Sequence, residues 1–245
     1  MDNIRFLTAG DCAVTVEFGN EISEEINSRI RAYMSALEKS GIDGIIESVP
    51  TYRSVTVHYD PCTVRYENLI PKLKKIVDGI DVSALPEGDV IEIPVLYGGE
   101  EGPDIQFVAT HNNLSIKEVI DIHTSGLYLI YMLGFTPGFT YLGGMSDKIV
   151  TPRLKVPRVS IPAGSVGIAD SQTGIYPLQS PGGWQLIGRT PVKMYDPERA
   201  EPILPKAGQY IKFYPIDRAE FDRIAALESE GGYQCRCYPR KEAEK

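Results

Sequence analysis

The sequence predicts an α+β protein built from two domains, a small N-terminal α/β sandwich followed by a β-barrel. Its 245 residues, at roughly 150 residues per domain, suffice for one large domain or two modest ones. Strand and helix periodicities alternate in the first third of the chain. From residue 136 to residue 215, by contrast, frequent glycines and prolines separate short β-like segments, a pattern that favours a closed barrel over a helical domain.

The N-terminal domain is predicted to span residues 1–84. Apolar residues alternate over 14–18 and 55–59, which is the period of a half-buried strand. They recur every three or four residues over 22–37 and 69–80, as in amphipathic helices. This strand–helix–strand–helix order predicts a small open-faced sandwich, with residues 83–89 as the linker.

The barrel domain is predicted over residues 88–218. Pro94 places the strand that begins at Ile91 at an edge or a bulge. Ser115 and Glu118 have the spacing of a capping box and mark the start of a helix. The apolar run 127–135 predicts a buried strand. Residues 219–245 carry one short amphipathic helix and then a charged tail.

The acidic net charge argues against several kinds of partner. The chain has 25 Lys and Arg residues against 33 Asp and Glu residues, a formal charge of −8, and it shows no basic stripe of the kind that nucleic-acid binding requires. No apolar run approaches the roughly 18 residues of a membrane-spanning helix, and the N-terminus lacks the pattern of a secretory signal. We therefore expect a cytoplasmic protein with neither nucleic-acid nor membrane partners.

The four cysteines predict neither a disulfide scaffold nor a metal site. Cys12 and Cys62 are isolated, and one residue separates Cys235 from Cys237. Zinc sites use cysteine pairs separated by about two to four residues, with a second pair to match. Structural thiols are the favoured interpretation, and no metal ligand is predicted.

Familiar catalytic signatures are missing. The chain has no Gly-x₄-Gly-Lys-Ser/Thr segment of a phosphate-binding loop. Residues 163–167 resemble a nucleophile elbow, but Ala163 replaces the first glycine and no helix follows, so we reject that interpretation. Among the three histidines, His123 stands out because it closes the capped helix. Either the helix dipole favours it there, or it belongs to a functional site.

Three glycine-rich stretches with aromatic or polar residues indicate a binding pocket: 134–144, 162–167 and 180–184. Glycine allows sharp turns and close approach of the backbone to a ligand, and exposed backbone N–H groups in such turns can hold an anion. The alternative is that these are tight barrel turns whose aromatic side chains fill the core. Three such stretches, with Gln172, Tyr176 and Arg189 nearby in the sequence, favour a shared pocket.

Six segments carry a resemblance to a known family. They are residues 97–104, 123–144, 151–153, 159–169, 172–177 and 180–191. In these segments the sequence resembles the KipI / allophanate hydrolase subunit 1 family, and the similarity extends over nearly the whole chain. The resemblance implies that the second domain is a cyclophilin-like β-barrel.

The resemblance also implies a hydrolase. Bacterial members are similar to the B subunit of an ATP-dependent 5-oxoprolinase, which opens 5-oxoproline (pyroglutamate) to L-glutamate. Such a protein is active only with a C subunit, which is KipA-like and related to allophanate hydrolase subunit 2, and a LamB/YcsF-like A subunit. ATP with Mg²⁺ is the implied co-substrate, at the partner interface or elsewhere, without an organic prosthetic group. The alternative is a KipI-type inhibitor that binds a sporulation histidine kinase without catalysis.

The candidate site combines the motif residues with roles that such a reaction needs. Arg189 would bind carboxylate or phosphate oxygens bidentately. Gln172 and Ser165 would bond the lactam amide, and His123 or Tyr176 would transfer protons. The predicted catalytic residues are thus His123, Gln172, Tyr176 and Arg189. The predicted substrate-binding residues are Phe139, Tyr141, Gly164, Ser165, Gly182 and Gly183.

Overall fold

The computed structural model describes residues 4–85 and 87–243. The chain divides into two units, residues 1–86 and 87–245. This division falls in the short interval between the two predicted domains.

The first unit is a four-stranded antiparallel sheet with two helices. Its strands follow the order β1-β2-β4-β3 across the sheet. The elements in chain order are β1 (Arg5–Thr8), β2 (Ala13–Glu17), α1 (Glu24–Ser40), β3 (Ile45–Pro50), β4 (Ser54–Tyr59) and α2 (Tyr66–Asp78), followed by a 3₁₀ turn at Val82–Ala84.

The core of this unit explains which elements the sequence predicts. Strands β2 and β4 alternate buried valines with half-buried polar residues, which is the pattern expected of a strand with one buried face. Strands β1 and β3 lie at the sheet edges and bury few side chains, so their sequences carry no clear alternation and do not predict them. Helix α1 begins at Ser23, whose side chain accepts a hydrogen bond from the Ile26 N–H at 3.2 Å. It ends at Gly41, which has the left-handed φ of 56° that glycine adopts without strain.

The second unit holds the remaining elements. In chain order they are β5 (Asp89–Tyr97), α3 (Ile105–His111), α4 (Ile116–Ser125), β6 (Tyr128–Leu133), β7 (Thr140–Gly143), a 3₁₀ turn (Asp147–Ile149), β8 (Arg158–Ile161), β9 (Ser165–Ala169), β10 (Gln172–Ile175), β11 (Ser180–Gly182), β12 (Gln185–Arg189), β13 (Tyr210–Pro215), α5 (Arg218–Ser229), β14 (Cys237–Pro239) and α6 (Arg240–Ala243).

The main sheet of this unit is a nearly closed barrel. Its hydrogen-bonded order is β10-β9-β12-β5-β13-β6-β7, with β14 also paired to β5 and with β8 and β11 forming a separate two-stranded sheet. Only β5 and β13 run parallel among the strand pairs of the described residues. The two end strands meet, because a Cβ atom at Gly174 of β10 would lie 3.4 Å from the carbonyl oxygen of Thr140 in β7. The predicted α+β class, a small sandwich followed by a barrel, is confirmed.

Helices α3 and α4 pack against the barrel core. Val108 and Val119 are fully buried among strand residues such as Ile93, Ile130 and Phe213. The predicted capping box is confirmed at the start of α4: the Ser115 N–H donates to Glu118 Oε2 at 2.7 Å, and the Glu118 N–H donates to Ser115 Oγ at 3.2 Å. The hydrogen bonds that Ser115 donates lower the pKa of the Glu118 carboxyl.

The C-terminal segment contributes to the barrel unit. Helix α5 buries Phe221 and Ile224, as its periodicity predicts. The segment predicted as a charged tail also contains β14, whose residues pair antiparallel with the start of β5. Three residues are too few to show a strand periodicity, which is why the sequence does not reveal this strand. Over residues 4–85 and 87–243, no helix combines the length and the apolar character needed to cross a bilayer.

Candidate functional site

A groove of about 270 Å³ in the barrel unit collects six of the predicted site residues. Its walls come from β7, β10 and β11 and from the loops that flank them. The predicted residues that line it are Phe139, Tyr141, Gln172, Tyr176, Gly182 and Gly183.

Aromatic rings form the floor of the groove. Phe139 lies at the centre and meets Tyr141, Tyr176 and Trp184 edge to face, with ring centroids 5.1, 6.0 and 5.8 Å apart. Such edge-to-face contacts are the favoured geometry of aromatic pairs. Phe139, Tyr176 and Trp184 are buried, and Trp184 is the only tryptophan of the chain. The floor is therefore closely packed and largely apolar.

Two arginines lie in this region, each paired with an aspartate. Arg153 lines the groove, and its Nε atom lies 3.5 Å from the Asp170 carboxylate, with both side chains more than half exposed. Arg158 binds Asp104 at 2.7 Å and donates to the Trp184 carbonyl at 3.4 Å. Burial raises the pKa of Tyr176, although the charges of both arginines oppose the shift. Tyr176 is therefore a neutral phenol that can donate a proton.

Several groove residues lie outside the predicted set. They are Phe135, Arg153, Leu154, Pro157, Pro181 and Trp184. Phe135 is 66% exposed. Its φ is 66°, and a positive φ is rare for a bulky residue. Arg153 and Trp184 belong to the motif segments, so the sequence signal was present. Leu154 and Pro157 carried no such signal. Their loop reaches the groove through a hydrogen bond from the Leu154 N–H to the Gly183 carbonyl, at 2.7 Å, and a contact between residues so far apart in the sequence leaves no local pattern.

Three predicted residues form a separate cluster. Gly164 has a φ of 82° in a tight turn before Ser165, which is buried. Arg189 donates from Nε to the Ala163 carbonyl at 2.8 Å and pairs with Glu101 at 3.4 Å. Glu101 also binds the guanidinium of Arg218, in helix α5, at 3.0 Å. The structure thus gives Arg189 two protein partners and does not bring it into the groove.

His123 lies in the barrel interior, also away from the groove, and is 0% exposed. Its Nδ1 atom is 2.7 Å from the Tyr97 hydroxyl, and its Nε2 atom is 2.9 Å from the Thr173 hydroxyl. The ring stacks on Phe213 at a centroid distance of 4.6 Å, and its carbonyl accepts from the Tyr128 hydroxyl at 2.7 Å. Burial lowers the pKa of His123 to about 3. The imidazole is therefore neutral, so attraction of a cation by the helix dipole does not explain its position.

The described residues contain no group of three or more His, Cys, Asp or Glu side chains placed to hold a metal ion. All four cysteines are free thiols. Cys235 is half-buried, and its burial raises its pKa to about 12, which makes it a poor nucleophile. The groove, with its aromatic floor and its arginine, is the candidate site.

The chain is similar to proteins that are named as parts of enzymes. It is 45% identical over 227 residues to the 5-oxoprolinase B subunit of Bacillus subtilis, a match that covers 86% of this chain and 92% of that protein. It is 39% identical over 215 residues to the protein of the same name from Escherichia coli O157:H7, covering 88% and 97% of the two chains. "Urea amidolyase" of Saccharomyces cerevisiae is 26% identical over 92% of this chain, which spans 14% of that protein.

Solved structures show the same architecture. TTHA0988 superposes with a TM-score of 0.76 at 39% identity, over 84% of this chain and 40% of that chain. The structure of PH0987 from Pyrococcus horikoshii gives a TM-score of 0.54 at 50% identity, over 89% of this chain and all of the other. The profile of the family described as "Carboxyltransferase domain, subdomain C and D" matches residues 4–205. The resemblance carried by the sequence motifs is confirmed, and the chain belongs to this carboxyltransferase-domain family, with 5-oxoprolinase B subunits among its relatives.

Proposed function

We propose that this chain is the B subunit of a cytoplasmic, ATP-dependent 5-oxoprolinase that opens 5-oxoproline to L-glutamate. The observation that carries the proposal is the convergence of six motif residues on one groove. Two relatives named as 5-oxoprolinase B subunits, matched over nearly their full lengths, support it.

The groove suits a small ring that carries one amide and one carboxylate. Its volume of about 270 Å³ lies just below the roughly 300 Å³ at which pockets for drug-sized ligands begin. The rings of Phe139 and Trp184 offer apolar surface to a flat five-membered ring. The Gln172 side chain carries both a donor and an acceptor, as does the lactam amide that it would bind. Arg153 would hold the substrate carboxylate bidentately.

The lactam must be activated, because its amide is a stabilised carbonyl. In the proposed reaction the carbonyl oxygen takes the terminal phosphoryl group of ATP, with Mg²⁺, and ADP leaves. Water adds to the activated carbon, and the C–N bond breaks with a proton passing to the ring nitrogen, which gives an acyl phosphate. A second water then releases phosphate and leaves glutamate.

The residues of this chain would position the ring and handle its charge. Tyr176, a neutral phenol in the groove, would protonate the leaving ring nitrogen. The polar groups of the groove would stabilise the charge that develops as the ring opens. His123 has no role in this proton transfer, because its imidazole is fully buried and both ring nitrogens are hydrogen-bonded to Tyr97 and Thr173.

The proposed partners are a KipA-like C subunit and a LamB/YcsF-like A subunit, with ATP bound where two subunits meet. The names of the relatives imply an assembly. The chain spans only 14% of the matched urea amidolyase and 40% of the matched TTHA0988 chain. Related proteins therefore carry the equivalent segment within longer chains.

The test is co-expression of this chain with the A and C subunits, purification of the complex, and measurement of ADP release. We expect release that depends on 5-oxoproline and yields glutamate in equal amount. An assembled complex without this activity would contradict the proposal. Inhibition of histidine-kinase autophosphorylation by the chain alone would then support the KipI-type alternative.

Replacing Gly182 with alanine tests the groove itself. A Cβ atom there would lie 2.7 Å from Ile161 Cδ1 and 2.9 Å from Tyr176 Cζ. Both neighbours are ends of side chains, so we expect the fold to persist while Tyr176 shifts and kcat/KM falls by about ten- to a hundredfold. Gly183→Ala adds a methyl group to the same groove, but its Cβ would have Pro157 Cγ as nearest neighbour, at 3.6 Å, so we expect a smaller loss there. Kinetics of Gly182→Ala equal to those of the parent would place the reaction elsewhere.

A further inference from the structure

A chain of hydrogen bonds with one direction crosses the barrel interior. The Thr173 hydroxyl donates its single proton to the Gly167 carbonyl at 3.0 Å. It must therefore accept at its contact with His123, so the imidazole carries its proton on Nε2. The Nδ1 atom then accepts from the Tyr97 hydroxyl. Each group therefore donates to the next in the order Tyr97 (β5), His123 (α4), Thr173 (β10) and the Gly167 carbonyl (β9).

Strand β10, which carries Thr173, is held by different contacts on its two sides. Strand β10 is an end strand of the hydrogen-bonded order and pairs along its length with β9. On its other side it approaches β7, where Gly174 packs against the Thr140 carbonyl. The His123–Thr173 hydrogen bond fixes β10 from inside the barrel, where both side chains are buried.

The same strand carries part of the groove. Side chains alternate along a strand, so Thr173 faces the interior while Gln172 and Gly174 face the other side. Gln172 lines the groove. A Cβ atom at Gly174 would lie 3.1 Å from the Trp184 indole, so the indole packs directly on the backbone of β10. Displacement of β10 would therefore move Gln172 and loosen the packing of Trp184.

We propose that His123 is a positioning residue that acts through Thr173 to hold β10, and with it Gln172 and Trp184, in the geometry of the groove. The effect on catalysis rests on the proposed function, whereas the effect on groove geometry does not. This role differs from the proton transfer that the sequence motifs suggested for His123.

Kinetics of the assembled enzyme test the catalytic part. Thr173→Val removes the hydroxyl but keeps the shape, and we expect kcat/KM to fall about tenfold. Thr173→Ser restores the hydroxyl and should restore most of the activity. In a Gln172→Ala background, Thr173→Val should have a smaller effect than in the parent, because part of its effect passes through Gln172. Tyr128→Phe is the control, since it removes another buried hydrogen bond of His123 and should lower the unfolding temperature without changing kcat/KM.

Fluorescence of Trp184 tests the geometric part in the isolated full chain, without substrate. We expect acrylamide to quench Trp184 more strongly in Thr173→Val than in the parent or in Tyr128→Phe. Unchanged quenching together with unchanged kcat/KM would overturn the proposal. Increased quenching with an inactive parent complex would support the positioning role and contradict only the proposed function.

A second pair of variants covers the case in which Thr173→Val does not fold. The amide of glutamine in His123→Gln reaches the Nε2 position and can still donate to Thr173, whereas the shorter asparagine of His123→Asn cannot. We expect stronger quenching of Trp184 in His123→Asn. Equal quenching in these two variants would overturn the proposal.

Discussion

Replacement of Arg153 with alanine is expected to lower kcat/KM for 5-oxoproline by about a hundredfold, because it removes the cation proposed to pair with the substrate carboxylate. The carboxylate keeps its charge and its bonds throughout the reaction, so Arg153 would bind substrate and transition state equally, and most of the loss should appear as a higher KM with a nearly unchanged kcat. Steady-state ADP release by the assembled enzyme at saturating ATP measures both constants. The KM of Arg153→Lys should lie between those of the parent and of Arg153→Ala, since lysine keeps the charge but loses the bidentate fork.

Two further variants make this result decisive. Arg223 is an exposed arginine of the same unit that pairs with Glu220 at 2.7 Å and does not line the groove, so Arg223→Ala should leave both constants within about twofold of the parent. Arg189→Ala separates the role proposed for Arg153 from the one predicted for Arg189 from the sequence. A raised KM in Arg189→Ala with an unchanged KM in Arg153→Ala would return the carboxylate-binding role to Arg189.

Acid is expected to destabilise the barrel unit through His123. Its folded-state pKa is about 3, against about 6.5 in the unfolded chain, so the unfolded state binds the proton more readily. This contribution to stability is complete above pH 6.5 and declines as the pH falls towards 3. The loss is about 1.4 kcal/mol per pH unit in that window, or about 2 to 3 kcal/mol at pH 4.5.

Urea unfolding at about pH 7 and pH 4.5 measures this loss as a difference in unfolding free energy. The parent also loses stability through its carboxylates, so the informative comparison is with His123→Gln, which cannot titrate at this position. We expect a smaller pH dependence in that variant. His111→Gln changes an exposed histidine at the end of α3 and should keep the full dependence. If His123→Gln lost as much unfolding free energy between about pH 7 and pH 4.5 as the parent, His123 would not be the source of the pH dependence.

Local signals in the sequence predicted the elements that depend on local chemistry. The capping box at Ser115 and the alternation around Val14 and Val55 each depend on residues a few positions apart, and the structure shows both. Edge strands β1 and β3 have one side without a partner and few buried side chains. Their residues therefore resemble those of loops, and the pattern is lost.

The candidate site was predicted in part, because residue types are visible in the sequence whereas contacts between distant residues are not. Glycine and aromatic residues such as Phe139 and Gly182 stood out by type, and barrel closure brings them together. The partner of Arg189 could not be predicted, because Glu101 lies 88 positions earlier in the chain. The burial of His123 has the same origin: a helix end gives no sign in the sequence of which strands will surround it. The roles predicted for both residues from the sequence stay predictions.

The parallel pairing of β5 with β13 has a consequence for how the chain is made. Strand β5 opens the barrel unit, yet the strands that pair with it, β12, β13 and β14, all come much later in the chain. The Tyr238 hydroxyl, for example, donates to Glu92 at 3.0 Å across 146 positions of sequence. Contacts of such long range form late, because the entropy of closing a large loop must be overcome first. The barrel sheet therefore cannot be completed on the ribosome until the strand that ends at Pro239 has emerged, whereas the sandwich unit consists of residues 1–86.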